Sequence, residues 1–184
     1  EDIDYEYDEY EQHEDLTTRL HGLLDEAYTD GFSVPKELVQ NADDAGATEV
    51  RFLLDERENR NLKSSLISEN MASLQGPAIW AYNNATFSDD DFKNIVRMGA
   101  GTKKEDVSKV GRFGLGFNAV YNLTEVPCFL SRHWLAMFDP QRKYLHKGAG
   151  MKLDFRKAIN KDLLMRYPDQ FESFRKVFEC KFEN

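Results

Sequence analysis

The chain has 184 residues, 41% of them hydrophobic and 31% charged, enough for one compact domain with a substantial core and too few for two ordinary ones. Its formal charge of −9 is confined to residues 1–15, which hold nine acids and no Lys or Arg, while the rest balances at 24 against 24; without a basic footprint, DNA and RNA are not expected as partners. No apolar run approaches membrane-spanning length and no signal peptide precedes the acidic start, so a soluble, cytoplasmic chain with no membrane contact is expected.

Residues 1–15 alternate acids with Tyr5, Tyr7 and Tyr10 and read as an acidic arm, solvated or ordered only by a partner. From Asp15, a candidate N-cap, Leu16, Leu20, Leu23, Leu24 and Ala27 recur at helical spacing until Thr29, Asp30 and Gly31 end the run. A second helix follows, capped by Ser33, with Pro35 in its first turn and Gly46 just beyond its end. On that helix Glu37, Asn41 and Asp44 fall within about 60° of one another, and Leu38, Ala42 and Ala45 lie roughly 100° away. An acid, an amide and a second acid on one face, beside small apolar residues, suit a metal-nucleotide site.

Residues 48–55 read as a strand, and residues 77–82 as a buried second one closed by Asn83 and Asn84. The polar stretch between them is expected to hold a helical turn near residues 68–74. Ser88, Asp89, Asp90 and Asp91 resemble a capping box opening a helix through Phe92, Ile95 and Val96; capping is preferred over metal binding for these aspartates. Residues 98–110 lack apolar periodicity and read as a mobile loop. It leads into Gly111, Arg112, Phe113, Gly114, Leu115, Gly116 and Phe117, a glycine-rich turn before an apolar helix over 117–123. Glycines let backbone approach an anion closely, and N–H groups at a helix start favour phosphate.

Residues 126–131 and 134–139 form a predicted hairpin about Arg132 and His133, and residues 151–155 a further strand, giving a mostly antiparallel sheet. Two amphipathic helices, 158–167 and 171–178, are split by Pro168, with Phe171, Phe174 and Phe178 on one face as core or docking surface. Cys128 and Cys180 are expected to be buried thiols in a reducing compartment, and the four histidines show no metal-ligand spacing.

Two stretches carry a family resemblance. Glu37-Leu-Val-Gln-Asn41-Ala-Asp-Asp44-Ala resembles the first motif of the Bergerat-fold (GHKL) ATPases, which include type II topoisomerases, sensor histidine kinases, MutL and the ninety-kilodalton heat-shock chaperones. Residues 111–117, followed by Asn118-Ala-Val-Tyr121, resemble the glycine motif that closes their nucleotide lid. More narrowly, residues 36–48, Gly76-Pro77 with Tyr82-Asn83-Asn84-Ala85, and residues 110–128 are similar to the chaperone-like region repeated within sacsin.

The resemblance implies an α/β two-layer sandwich with a mixed, largely antiparallel sheet and helices on one face. Residues 16–184 would form this nucleotide-binding domain, lacking its closing C-terminal strand. It further implies Glu37 as general base, Asn41 as ligand of Mg²⁺ carried with ATP or ADP, and Asp44 at the edge of the nucleotide pocket. The glycine run would donate backbone N–H groups to phosphate, Phe113 and Phe117 would anchor the lid hinge, and Lys103 and Lys104 would close over the phosphates.

Three departures bear on turnover. Asn83-Asn84-Ala85-Thr86 stands where the family has an Asp followed by glycines to read adenine, although an asparagine amide can still pair with an adenine edge. Arg112 replaces a usual glutamine, and no later Gly-Thr pair opens a closing strand. The implied function is a nucleotide-binding chaperone-like module, with client or co-chaperone proteins as partners and slow ATP hydrolysis at most. The competing reading is a scaffold that keeps the fold without useful nucleotide binding.

Overall fold

The computed structural model describes residues 8–9, 33–59, 65–96, 117, 119–145 and 148–180. Outside them lie the rest of the acidic arm, the helix expected over 16–27, the 98–110 loop with Lys103 and Lys104, and Gly111, Arg112, Phe113, Gly114, Leu115 and Gly116. In chain order the elements are β1 (Asp8–Glu9), α1 (Ser33–Asp44), β2 (Val50–Asp55), a 3-10 turn (Glu69–Leu74), β3 (Ala78–Asn83) and α2 (Asp89–Ile95). A second 3-10 turn (Ala119–Asn122), β4 (Cys128–Ser131), β5 (Trp134–Phe138), β6 (Gly150–Asp154), α3 (Ala158–Arg166) and α4 (Pro168–Glu172) follow.

The strands form two sheets, one in the order β1-β6-β5-β4 and one of β2 with β3. Every pairing is antiparallel, so the mixed character expected of the sheet is not seen among the described residues. The hairpin expected at Arg132 and His133 is present, with Ser131 opposite Trp134. Arg132 holds a φ of 56°, where a two-residue hairpin turn usually takes glycine. Its guanidinium bonds Asp89 and lies over the Phe92 ring at 5.8 Å.

The four-stranded sheet is covered on both sides. Leu135 and Met137 lie opposite Leu153 and Met151, and this face packs on Leu66, Ile67, Met71, Leu163 of α3 and Phe171 of α4. The alternate residues Ala136 and Phe138 pack with Phe92 and Ile95 of α2 and with Phe117, Tyr121 and Phe129. Helices on one face only, the expected arrangement, therefore do not describe this sheet: β5 is apolar at every position, and both of its faces need cover.

Local signals behave as their chemistry dictates. Ser88 Oγ accepts from Asp91 N–H at 3.2 Å, and an Asp91 carboxylate oxygen accepts from Ser88 N–H at 2.8 Å, a reciprocal capping box. Pro168 opens α4, where its missing N–H costs nothing. The helix expected over 171–178, however, ends at Glu172. Arg57, at the end of β2, donates to the carbonyls of Ser173 and Arg175 at 3.2 Å each, and the chain continues in tight turns with left-handed Lys176, Phe178 and Glu179. Phe171 and Phe174 are buried in the core, while Phe178 is half-buried beside the Tyr82 ring at 5.5 Å. Cys180 is half-buried; Cys128, at the start of β4, is exposed as a residue, yet its thiol is enclosed and burial pushes it up to about 12.

Asp139, fully buried, organises the chain between β5 and β6. Its carboxylate accepts the backbone N–H groups of Lys143, Tyr144 and Leu145 at 3.2, 2.6 and 2.7 Å. Tyr144 in turn hydrogen-bonds Glu125 through its hydroxyl, and Lys143 pairs with Glu125 at 3.4 Å. A carboxylate with three backbone donors is compensated for leaving water.

Candidate functional site

The helix that carries Glu37, Asn41 and Asp44 is fixed at its end by backbone chemistry. Gly46, with φ of 74°, donates to Asp43 O at 2.9 Å, and Ala47 donates to Ala42 O at 2.9 Å. This 6→1 and 5→2 pair is the Schellman motif, and the left-handed residue within it favours glycine. Val34 and Ala42 are buried, and α1 packs on the 3-10 turn Ala119–Asn122, whose Ala119 is fully enclosed. The segment downstream of the glycine run thus lies against the acid-amide helix. Phe117 anchors that segment to the sheet, its ring 5.8 Å from Phe138 and 6.2 Å from Phe129.

Glu37, Asn41 and Asp44 are each half-buried on α1. Asn41 Oδ1 is shielded from solvent and has no hydrogen-bond partner among the described residues. Leaving a buried amide oxygen without a hydrogen bond costs on the order of 1–3 kcal/mol. One carboxylate oxygen of Asp44, a turn further on, is shielded as well. Beneath, burial pushes the Tyr121 phenol well above its usual value, with the charge of Asp139 adding to the shift.

Asn83 and Asn84 close β3 beside the α1–β2 connection. Asn84 Oδ1 accepts from the N–H groups of Thr48 and Glu49 at 2.9 and 3.2 Å, while its Nδ2 donates to Thr48 Oγ1 at 2.8 Å. The side chain acts as a clip that holds the exit from α1 against the end of β3. Asn83 Oδ1 accepts from Ala85 N–H at 3.0 Å, a local Asx turn. The clip's partner, Thr48, escapes a reading of motifs alone; its signal is a hydroxyl residue just ahead of one strand and an Asn pair closing the next.

Of the candidate residues described, Glu37, Asn41 and Asp44 lie on α1, and Asn84, next to Asn83, is tied to the turn that follows α1. No helix among the described residues is long and apolar enough to cross a membrane.

Residues 13–184 match the Sacsin domain family. A 176-residue alignment with sacsin of Homo sapiens is 43% identical and covers 92% of this chain but 4% of that protein, so the chain spans a small part of the relative it matches. With a match across nearly its whole length and this level of identity, the chain belongs to the sacsin domain family.

Proposed function

We propose that this sacsin-family module has the Bergerat type of fold and binds Mg-ATP or Mg-ADP, as a cytoplasmic chaperone-like part of a larger protein acting on client proteins. The observation that carries the reading is Asn41 Oδ1, enclosed and without a partner among the described residues, on the same helix face as Glu37 and Asp44. Among the described residues no three His, Cys, Asp or Glu side chains converge, so a cation here would take one protein oxygen, from Asn41, and complete its shell with phosphate and water. Mg²⁺ keeps several waters and is usually held by one or two carboxylates with substrate phosphates, so the Asn41 oxygen would stand in for such a carboxylate. When present, the cation neutralises charge on the phosphate oxygens. Glu37, one turn before Asn41, is the residue assigned to take a proton from water, and Asp44 borders the nucleotide.

Calorimetric titration with Mg-ADP tests the reading. Saturable binding lost in Asn41→Ala supports it; no heat at millimolar nucleotide from a folded sample rejects it. Where hydrolysis is measurable, Glu37→Ala abolishes it and leaves binding nearly intact.

A second reading, a scaffold that has given up nucleotide, is favoured by one observation: the Asn84 amide is committed to Thr48 and Glu49 and the Asn83 carbonyl to Ala85. Under that reading melting temperatures are the same with and without nucleotide.

A further inference from the structure

The two faces of the β2–β3 hairpin differ. In an antiparallel pair, residues directly opposite one another share a face. Arg51 and Leu53 lie with Tyr82 and Trp80, whose rings pack on Phe178 at 5.5 Å and Phe174 at 5.0 Å. The other face consists of Val50, Phe52 and Leu54 with Asn83, Ala81 and Ile79, and holds no charged residue. On it Phe52 is 42%, Leu54 65% and Ile79 52% open to solvent. An uncharged apolar sheet face is the kind that a second layer covers.

The described helices have apolar residues already buried: Val34 and Ala42 of α1, Phe92 and Ile95 of α2, Leu163 of α3 and Phe171 of α4. One amphipathic run of the sequence lies outside the described residues. At about 100° per residue, Leu16, Leu20, Leu23, Leu24 and Ala27 fall within an arc of about 100°, with Thr18, His21 and Asp25 on the opposite side. A helix of about 12 residues is marginal alone in water, so such a stripe needs an apolar surface. Its length suits the hairpin: about 18 Å for a helix over residues 16–27, against about 20 Å for the six-residue strands β2 and β3. The run is bracketed by described chain, since Glu9 pairs with Met151 of β6 and Ser33 opens α1. α1, also about 18 Å long, is clipped at its exit to the end of β3 by Asn84, and residues 28–32 add up to about 20 Å of reach. The open face is within that tether.

We propose that residues 16–27 dock as a helix on the Phe52, Leu54 and Ile79 face of the β2–β3 hairpin. Neither the stripe nor the face holds a charge, so no ionised group leaves water on docking. The helix runs between β1, at the edge of the four-stranded sheet, and α1, and joins the two sheets by a packed layer. Docking is a local equilibrium. The helix leaves at low denaturant, before the sheets unfold, and the main unfolding transition does not register it. Its departure uncovers an apolar surface at the strand that follows α1, the helix that carries Asn41.

Hydrogen exchange read by mass spectrometry on the full chain measures docking as amide protection over residues 16–27. The wild type protects these amides about tenfold over free-chain rates. Leu54→Asp and Ile79→Asp each return them to free-chain rates and leave β5 and β6 protected. Met165→Asp, at an exposed apolar residue of α3, changes nothing. Should an aspartate on the face disturb the hairpin itself, Leu20→Asp, which lies outside it, keeps the test decisive. Alkylation of Leu54→Cys, followed at that peptide, becomes at least about fivefold faster when Leu20→Asp is added. Free-chain exchange over residues 16–27 in the wild type overturns the proposal. So does protection that survives both face variants, or an alkylation rate that Leu20→Asp leaves unchanged, since the helix then lies elsewhere.

Discussion

β5 and β2 are both short apolar strands, yet they meet opposite fates. β5 lies between β4 and β6 with helices on either side, and Leu135, Ala136, Met137 and Phe138 are all buried. Among the described residues β2 has one neighbour, and its three central apolar residues, Phe52, Leu53 and Leu54, remain in contact with water. The central residues of the two strands are similarly apolar; what differs is the number of neighbours each has. Apolar content therefore marks a strand as able to be buried, and topology decides whether it is.

The contrast can be broken by truncation. Leu135→Ala removes a fully buried side chain from a layer that cannot close over the gap, and costs about 3–4 kcal/mol by chemical denaturation. If the four-stranded sheet is the stabilising core, the same probe at Leu54 costs less than about 0.5 kcal/mol. Asp139→Ala strands three backbone N–H groups and is expected to cost about 2–3 kcal/mol, again on the buried side of the comparison.

The boundary between the regions has an acid signature. The hydrogen bonds from Arg57 hold the Asp55 carboxyl at about 2, against 3.8 ordinarily. Because the folded value is the lower one, the stabilisation is complete above 3.8 and disappears as pH falls towards 2. Asp55→Asn should therefore flatten the acid limb of the stability curve within that window, as followed by urea midpoints. A smaller loss, about 1 kcal/mol, is expected for Asn84→Ala, which opens the clip between the α1 exit and β3. At the low end, Ile79→Ser on the open face changes stability by less than about 0.5 kcal/mol.

Much of this is legible in the chain. Gly46 after an apolar-periodic run predicts the end of α1, Ser88 with Asp91 predicts the cap of α2, and Arg132-His133 between two apolar runs predicts the β4–β5 hairpin. These signals are local, and each acts within a few residues. What does not read out is set from afar. The helix expected over 171–178 stops because its carbonyls are taken by Arg57, 116 and 118 residues away in sequence. The spacing of Phe171, Phe174 and Phe178 is that of an α-helix; in the tight turns that form instead, Val177, three residues after Phe174, is buried and Phe178 is only half-buried. The apolar run of β5 likewise says that the strand is buried and not that both its faces carry helices. On α1 the spacing puts Glu37, Asn41 and Asp44 on one face; that Asn84 is spent on Thr48 follows from a contact the motif does not encode.

The Arg57 bonds to Ser173 and Arg175 also have a temporal meaning. They are joined by Asn59 to Asp169 at 3.0 Å and by the Ser65 hydroxyl, which accepts from Asp169 N–H at 3.2 Å, so Arg57, Asn59 and Ser65 are all bound to residues 169–175. Contacts of such long sequence separation form late, because a loop of more than a hundred residues must close before they repay its entropy. On a ribosome, the β2–β3 pair emerges well before its latch. During that interval Arg57 and Asn59 lack the partners that tie the end of β2 to α4 and the turns after it.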